Sequence, residues 1–371
     1  MRRKGVTRVS TNRQGFFLHT SLAVAADGSR FPLGVLAARP YVHQSDIDDD
    51  ETRAWWRERD GLMANEQERW LQSIIAAESA AGDAAMIHVC DREGDAYELL
   101  GSLVELDMRF VIRLEHDRRI TDDEGQASRL SRLLETAELR RGLTRTITIQ
   151  PRYGAVSKGK KATNHKHKGR KATVSFRAVR ATVQRPENRD DLAYIEVPTA
   201  LHLVEVIETS PPEGAEPVRW WLATSEPVDT DAALLRVVDI YCTRWVMEEL
   251  FKALKTGGAY EKRQLESTHA LLNMLAVTLP IAVHMLMLRD LAHGAPTLPA
   301  TAVFDPLDIL VMRALTSAEL VPDQATVVDA LRVIAKLGGH IRNNGPPGWL
   351  VRYRGYIQLV SAKHGFRAAF E

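Results

Sequence analysis

Cysteine is scarce in this chain of 371 residues, which contains only Cys90 and Cys242. Two cysteines in apolar surroundings are too few for a disulfide framework or a zinc site, so we interpret both as small buried hydrophobic residues. Apolar runs long enough to span a bilayer are also lacking, and no signal-type apolar core follows the basic start of the chain. We therefore expect a globular, cytoplasmic protein without a membrane partner.

Acidic residues are missing from one long stretch, although the net charge of the whole chain is only +1. Between Leu139 and Pro186 there is no Asp or Glu, and basic residues cluster at the centre of this stretch. The cluster lies between two strand-like segments, which places it at the tip of a long β-hairpin that contacts phosphate groups. A merely solvated loop is the alternative. The candidate contacts are Lys158, Lys160, Lys161, Lys166, Lys168, Arg170 and Lys171.

The order of predicted elements indicates a mixed α/β core. Residues 16–41 read as two apolar strands joined by a two-residue turn at Asp27 and Gly28, and residues 64–82 read as a helix. Residues 85–114 read as strand, turn, helix and strand. The segment 115–218 looks all-β, a strand returns at "RWWLATSEPV", and the chain beyond Gly257 is largely helical.

The segment "IYCTRWVMEELFKALKTG", residues 240–257, has the apolar periodicity of a single helix. At about 100° per residue, one helix face collects a phenol, a carboxylate and three cations: Tyr241, Arg244, Glu248, Lys252 and Lys255. The opposite face is apolar and should pack on a core, so the polar face should point outward. It is either a solvated, ion-paired face or a binding surface.

Asp91 closes an apolar strand within the sequence "DREGD". Asp at this position is a common turn former and helix cap, but it can also reach a metal ion. Together with Glu248 it would supply the oxygen ligands that Mg²⁺ or Mn²⁺ prefers. Two such ions can activate a water or a 3′-hydroxyl in phosphodiester displacement, with nearby cations holding the DNA phosphates.

These residues together resemble a known family. The sequence "DREGD" at a strand end, followed by tyrosine, arginine, glutamate and lysine in the spacing Y-x2-R-x3-E-x6-K, is similar to the signature of the insertion-sequence-four family of bacterial DDE transposases. The resemblance covers nearly the whole chain, including "RWWLATSEPV" and "IAKLGGHIRNNGPPGWLVRYRGYIQL". It implies an α/β fold: a ribonuclease-H-like catalytic core with a β-rich insertion and a helical C-terminal region.

The resemblance implies a division of the chain and an activity. Residues 1–114 would be the first part of the core, 115–218 the insertion with the basic hairpin, 219–295 the second part of the core, and 296–371 the helical C-terminal region. The implied activity is DNA nicking and strand transfer with two Mg²⁺ or Mn²⁺ ions. The implied partners are the transposon's terminal inverted repeats, target DNA and a second copy of the chain, in the cytoplasm at the nucleoid.

The resemblance also assigns roles to single residues. Asp91 and Glu248 would be the second and third carboxylates of a catalytic, metal-binding triad. The DNA end would be contacted by Tyr241, Arg244, Lys255 and, on the same face, Lys252. Arg113 is similar to a strand arginine near the family's active site, although a plain ion pair explains it equally. Trp220 resembles a tryptophan that stacks on a flipped base, unless it is a core residue and Trp221 is the exposed one.

The first carboxylate of the family's triad has no counterpart. Residues 1–15 contain no Asp or Glu, Asp27 falls in the hairpin turn, and the acidic run at 45–51 looks like a solvated loop. The family's N-terminal DNA-binding region is likewise unmatched, so we expect an N-terminally truncated transposase that does not cleave DNA alone. The alternatives are a non-catalytic regulator of a full-length transposase and another ribonuclease-H-like nuclease.

Overall fold

The computed structural model describes residues 7–10, 13–47, 49–63, 66–149, 152–153, 166–167, 169–262, 265, 267–316, 320–341 and 345–370. The chain forms two compact units. The first unit comprises Met1–Gly82 and Trp245–Glu371, and the second unit comprises Asp83–Arg244. The predicted division at residues 114, 218 and 295 stays a prediction, and it does not coincide with these two units.

The described strands are β1 Thr7–Ser10, β2 Arg13–Gly15, β3 Phe17–Val24, β4 Pro32–His43, β5 Leu62–Met63, β6 His88–Cys90, β7 Phe110–Leu114, β8 Arg119–Asp122, β9 Ala127–Arg129, β10 Arg140–Ile149, β11 Arg152–Tyr153, β12 Lys166–His167, β13 Arg170–Val183, β14 Ala200–Ile207 and β15 Arg219–Thr224. The described α-helices are α1 Asp50–Arg57, α2 Glu66–Ala81, α3 Tyr97–Glu105, α4 Leu130–Thr136, α5 Asp231–Cys242, α6 Trp245–Lys252, α7 Thr268–Gly294, α8 Pro306–Leu315, α9 Val327–Leu337 and α10 Trp349–Phe370.

The second unit is built on one large mixed sheet. In the described part of the chain this sheet has eight strands in the order β6-β7-β15-β14-β13-β8-β9, with β10 also paired to β13. Strands β6 and β7 are parallel, whereas β7, β15, β14 and β13 pair antiparallel. Phe110, Val111 and Ile112 of β7 are fully buried, as expected for a strand covered on both faces. This sheet confirms the mixed α/β prediction.

The predicted long hairpin is confirmed in its described strands. Residues Arg145 to Ile149 of β10 pair antiparallel with Arg170 to Val174 of β13, and β11 pairs with β12. Strands β13 and β14, predicted to be an insertion, lie in the same sheet as β6, β7 and β15. The predicted contacts Lys158, Lys160, Lys161 and Lys168 lie outside the described residues.

The first unit contains the predicted N-terminal hairpin. Strands β3 and β4 pair antiparallel from Phe17 opposite Tyr41 to Val24 opposite Pro32. The two-residue turn predicted at Asp27 and Gly28 is wrong, because the connection runs from residue 25 to 31 and Ala25 N donates to Phe31 O. Gly28 has a φ of 90°, a backbone conformation that glycine adopts without strain.

Helix α7 is long and apolar enough to cross a membrane by length and composition, contrary to the expectation from the sequence. Its apolar side chains are shared between two hydrophobic clusters of the first unit. Met285 and Leu288 belong to one cluster, and Leu275 and Leu279 belong to the other. This packing is that of a central core helix.

The predicted helical C-terminal region is confirmed. Helices α8 and α9 each begin with a capping box, formed by Asp305 with Asp308 and by Thr326 with Asp329. Helices α9 and α10 approach with their backbones in contact. A Cβ atom on Gly355 would lie 1.7 Å from Ile334 O, and one on Gly338 would lie 1.8 Å from Val351 O.

Substitution Gly355→Ala should therefore destabilise the protein, because the added methyl forces the two helix backbones apart. Overpacking of this kind costs about 1–3 kcal/mol. Gly365→Ala on the same helix is the matched control, since nothing lies within 4 Å of its added Cβ. The control should gain roughly 0.5–1 kcal/mol from its higher helix propensity. Urea denaturation of both variants checks this, and equal midpoints would contradict the close helix contact.

Candidate nucleic-acid interface and active-site residues

The segment predicted to be one helix over residues 240–257 is interrupted. Helix α5 ends at Cys242, α6 begins at Trp245, and a π-helix follows over Ala253–Gly257. At the interruption Arg244 N donates to Tyr241 O at 3.1 Å, and Thr243 Oγ1 donates to Ile240 O at 2.7 Å. The single-helix prediction is therefore wrong. Its polar residues belong to two units, with Tyr241 and Arg244 in the second and the rest in the first.

The prediction that Tyr241 points outward is wrong. The tyrosine is 3% exposed, and its ring meets the ring of Trp220 edge-on, with 5.5 Å between centroids. Helix α5 carries this tyrosine because Thr230 caps the helix start, accepting a hydrogen bond from Ala233 N. Tyr241 thus packs against Trp220.

Trp220 and Arg113 lie together on one face of the large sheet. The Arg113 guanidinium carbon is 5.6 Å from the Trp220 ring centroid, within cation–π range. Arg113 Nε is buried and has no hydrogen-bond partner in the described part of the chain. Trp221 faces the other side, where its Nε1 donates to Glu205 at 3.2 Å. Both tryptophans are half-buried, so neither is a plain core residue.

Asp91 lies at the end of β6, as predicted. One carboxylate oxygen caps the short helix Arg92–Gly94 by accepting from Glu93 N at 3.0 Å. The other oxygen lies 3.9 Å from a guanidinium nitrogen of Arg244. The Asp91 side chain therefore caps the short helix and also pairs with Arg244. It remains 39% exposed.

Asp95, the second aspartate of "DREGD", was not singled out from the sequence. Its buried carboxylate accepts from Glu115 N at 2.7 Å, His116 N at 2.8 Å and Arg118 Nε at 2.6 Å. These bonds tie the turn that follows Asp91 to the segment that follows β7. No local pattern pointed to this residue, since its partners lie 20 to 23 residues further along the chain.

In the first unit, helix α6 buries the predicted apolar face with Val246, Leu250 and, on the π-helix, Ala253 and Leu254. Glu248 is half-buried, and Lys252 and Lys255 are exposed. The outward direction predicted for the two lysines is confirmed. A π-helix is rare, and single π-turns frequently occur at functional sites.

Both lysines have carboxylate partners. Lys252 Nζ lies 2.6 Å from Glu249, whose other oxygen accepts from Arg289 at 2.7 Å. These partners lower the pKa of Glu249 against the opposing effect of burial. Lys255 Nζ lies 3.0 Å from Glu261, and both side chains of this pair are about half exposed. A phosphate group binding here would compete with these carboxylates.

The basic hairpin is partly ion-paired as well. Arg170 forms a two-pronged pair with buried Glu208, including a bond of 2.7 Å, and this contact lowers the pKa of Glu208. Lys171 is exposed, and Lys166 lies in β12. Sequence reasoning missed Arg145, whose Nε donates to Asp239 of α5 at 3.0 Å. Their separation of 94 residues left no local signal.

The predicted Mg²⁺ or Mn²⁺ site is incomplete among the described residues. Asp91 and Glu248 have the oxygen donors that these ions prefer. However, the described part of the chain contains no cluster of three or more His, Cys, Asp or Glu side chains able to hold a metal ion.

The mixed sheet and the helices that accompany it define a protein of the α/β class. Residues 79–281, more than half of the chain, match the family described as transposase DDE domain. The chain therefore belongs to the DDE transposase family, whose function is DNA transposition and which binds DNA. The match ends within α7 and so excludes α8, α9 and α10.

Glu261→Gln should tighten DNA binding, because it releases Lys255 to phosphate. Exposed ion pairs contribute about 0.2–1 kcal/mol, which corresponds to roughly 1.4–5-fold in affinity. Fluorescence anisotropy with a labelled duplex at low salt measures this change. Glu213→Gln in an exposed loop controls for the altered net charge. An equal gain in a Lys255→Ala background would contradict the proposed competition.

Proposed function

We propose that this chain acts on the ends of a bacterial insertion sequence of the insertion-sequence-four type. The observation that carries this proposal is the grouping of signature residues in the second unit. Trp220 contacts both Arg113 and Tyr241, and Arg244 lies 3.9 Å from Asp91. A half-buried tryptophan with a guanidinium beside it is suited to stack on a base taken out of the duplex.

In this proposal Asp91 and Glu248 are the catalytic carboxylates. Arg244, Lys252 and Lys255 neutralise phosphate oxygens at the DNA end, where negative charge increases as the nucleophile attacks phosphorus. In nicking, water attacks and the 3′ oxygen leaves with the pair of electrons. In strand transfer, the freed 3′-hydroxyl loses its proton and attacks a target phosphodiester, and the 3′ oxygen of the target strand leaves with the pair of electrons. Lys166, Arg170 and Lys171 of the hairpin add sequence-independent phosphate contacts.

The proposed Mg²⁺ or Mn²⁺ ions need a further carboxylate beside Asp91 and Glu248. Strand β6, which directly precedes Asp91, is the outermost strand of its sheet in the described part of the chain. In this proposal a further strand carrying that carboxylate lies beside β6. We propose that the polypeptide alone binds transposon ends in the cytoplasm, as a homodimer, but does not cleave them.

A second candidate function follows from the same incomplete carboxylate set. A chain that binds DNA without cutting it would compete with, or dimerise with, a complete transposase and so regulate it. Another ribonuclease-H-like nuclease is a further alternative, and it would show no preference for terminal inverted repeats.

Lys255→Ala should weaken binding to a duplex taken from the end of the host insertion sequence. Loss of one phosphate contact should lower the slope of log K against log salt by about 0.9. Lys262→Ala, an exposed lysine close by, is the matched control and should change the slope less. Unchanged binding by the Lys255 variant would contradict its proposed contact.

Cleavage is tested on the same duplex in Mg²⁺ or Mn²⁺. The proposal predicts no nicked product from the wild-type chain. Nicking by the wild-type chain that disappears in Glu248→Ala would show a complete catalytic site. It would contradict both the proposal that a carboxylate is lacking and the proposal that the chain is a non-catalytic regulator. Equal affinity for the end and for a scrambled duplex would contradict action at transposon ends.

A further inference from the structure

Arg352 is a buried cation that has no close anionic partner among the residues that the structure describes. It is 8% exposed, and its buried Nε has no hydrogen-bond partner in the described part of the chain. Its side chain makes no hydrogen bond or ion pair with any residue that the structure describes. Burial and the nearby charge of Arg289 lower the pKa of Arg352, against an opposing effect of Asp290. A buried charge left uncompensated is costly, so such a group calls for an explanation.

Arg352 and Arg289 lie against the same aromatic ring. Their guanidinium carbons are 5.6 Å and 5.0 Å from the ring centroid of Trp349. The two arginines differ in their charge balance. Arg289 pairs with Glu249 and Asp290, each at 2.7 Å, whereas Arg352 forms no ion pair with a described residue and feels Asp290 only at longer range. In the described part of the chain, the guanidinium of this group that lacks a close carboxylate is therefore that of Arg352.

The ring lies at the start of a long helix. Trp349 opens α10, which has 22 residues, and Arg352 N donates to Gly348 O at 3.2 Å. Gly348, at the cap position, has no side chain to satisfy the first N–H groups of the helix. Side chains on a helix lean toward its N-terminus, so Arg352 adds its charge to the positive end of the helix dipole. Helix N-termini of this kind bind phosphate groups.

This helix start also packs against the segment that carries Lys255. A Cβ atom on Gly257 would lie 3.3 Å from Trp349 O and 3.5 Å from the Cβ of Tyr353. Trp349 also packs against the cluster that contains Ala253 and Leu254. The π-helix bearing Lys255 and the first turn of α10 are therefore neighbours within one unit.

We propose that Arg352 and the first turn of α10 bind a backbone phosphate of DNA, next to the phosphate held by Lys255. The inference rests on the proposed function in assuming that Lys255 contacts DNA. The site lies beyond residue 281, where the family match ends. Phosphate supplies the anion that the buried guanidinium lacks, and the fork of an arginine suits two phosphate oxygens.

The test uses Arg352→Met in the full chain, since methionine keeps the buried length and removes the charge. Without DNA the variant should melt at the same or a higher temperature than the wild type, because an uncompensated charge is gone. Its affinity for duplex DNA should fall by about tenfold, and its salt slope should fall by about one contact. Opposite effects on stability and affinity would distinguish a ligand-binding arginine from a structural one.

Arg354→Met is the matched control, because Arg354 is an exposed arginine two residues further along α10. It removes the same charge and should change affinity less than the Arg352 variant does. Arg352→Lys provides a second variant that keeps the charge but loses the fork, and should recover part of the affinity. Equal losses in the two methionine variants would reduce the effect to net charge and overturn the proposal.

Two further results would overturn the proposal. One is an Arg352→Met variant that is destabilised but binds DNA as the wild type does. The other combines two observations: inorganic phosphate raises the melting temperature of the wild type but not of Arg352→Met, and both proteins bind DNA equally well. That result would assign the site to free phosphate. Unchanged DNA binding in Lys255→Ala, with the loss in Arg352→Met intact, would count against the proposed function alone.

Discussion

The antiparallel pairing of β7 with β15 is the constraint on which the second unit depends. Its register sets Leu222 opposite Arg113 and Trp221 opposite Leu114. Because side chains alternate along a strand, this register places Trp220 and Arg113 on one face and Trp221 on the other. A slip of one residue would turn Trp220 away from Tyr241. The position of the aromatic ring that we assign to DNA thus follows from the ladder between two buried strands.

Several of the cations that we assign to DNA are paired with carboxylates of the same chain. Arg244 faces Asp91, Lys255 faces Glu261, Lys252 faces Glu249 and Arg170 faces Glu208. A DNA phosphate must replace a carboxylate at each of these cations, so binding releases fewer counterions than a count of basic residues suggests. Arg352 differs from these cations, because it is buried and has no close carboxylate partner among the described residues.

Sequence reasoning predicted the parts of the fold that depend on local patterns. The strand ending at Asp91, the β10–β13 hairpin, the buried face of α6 and the helical C-terminal region all follow from periodicity. The interruption at Thr243 and Arg244 did not, because neither glycine nor proline marks it in the sequence. The pairs of Arg145 with Asp239 and Arg170 with Glu208 join distant segments. The roles of Asp91, Glu248 and the DNA contacts stay predictions, since they depend on a bound partner.

The central claim is that a DNA end contacts the Trp220 face of the second unit and the Lys255 segment of the first. Ultraviolet cross-linking with a bromouracil-substituted duplex from the insertion-sequence end, mapped by mass spectrometry, tests it most directly. The account predicts adducts on the β15 peptide that contains Trp220 and on the peptide that contains Lys255. Adducts confined to other peptides, or equal adducts with a scrambled duplex, would contradict it.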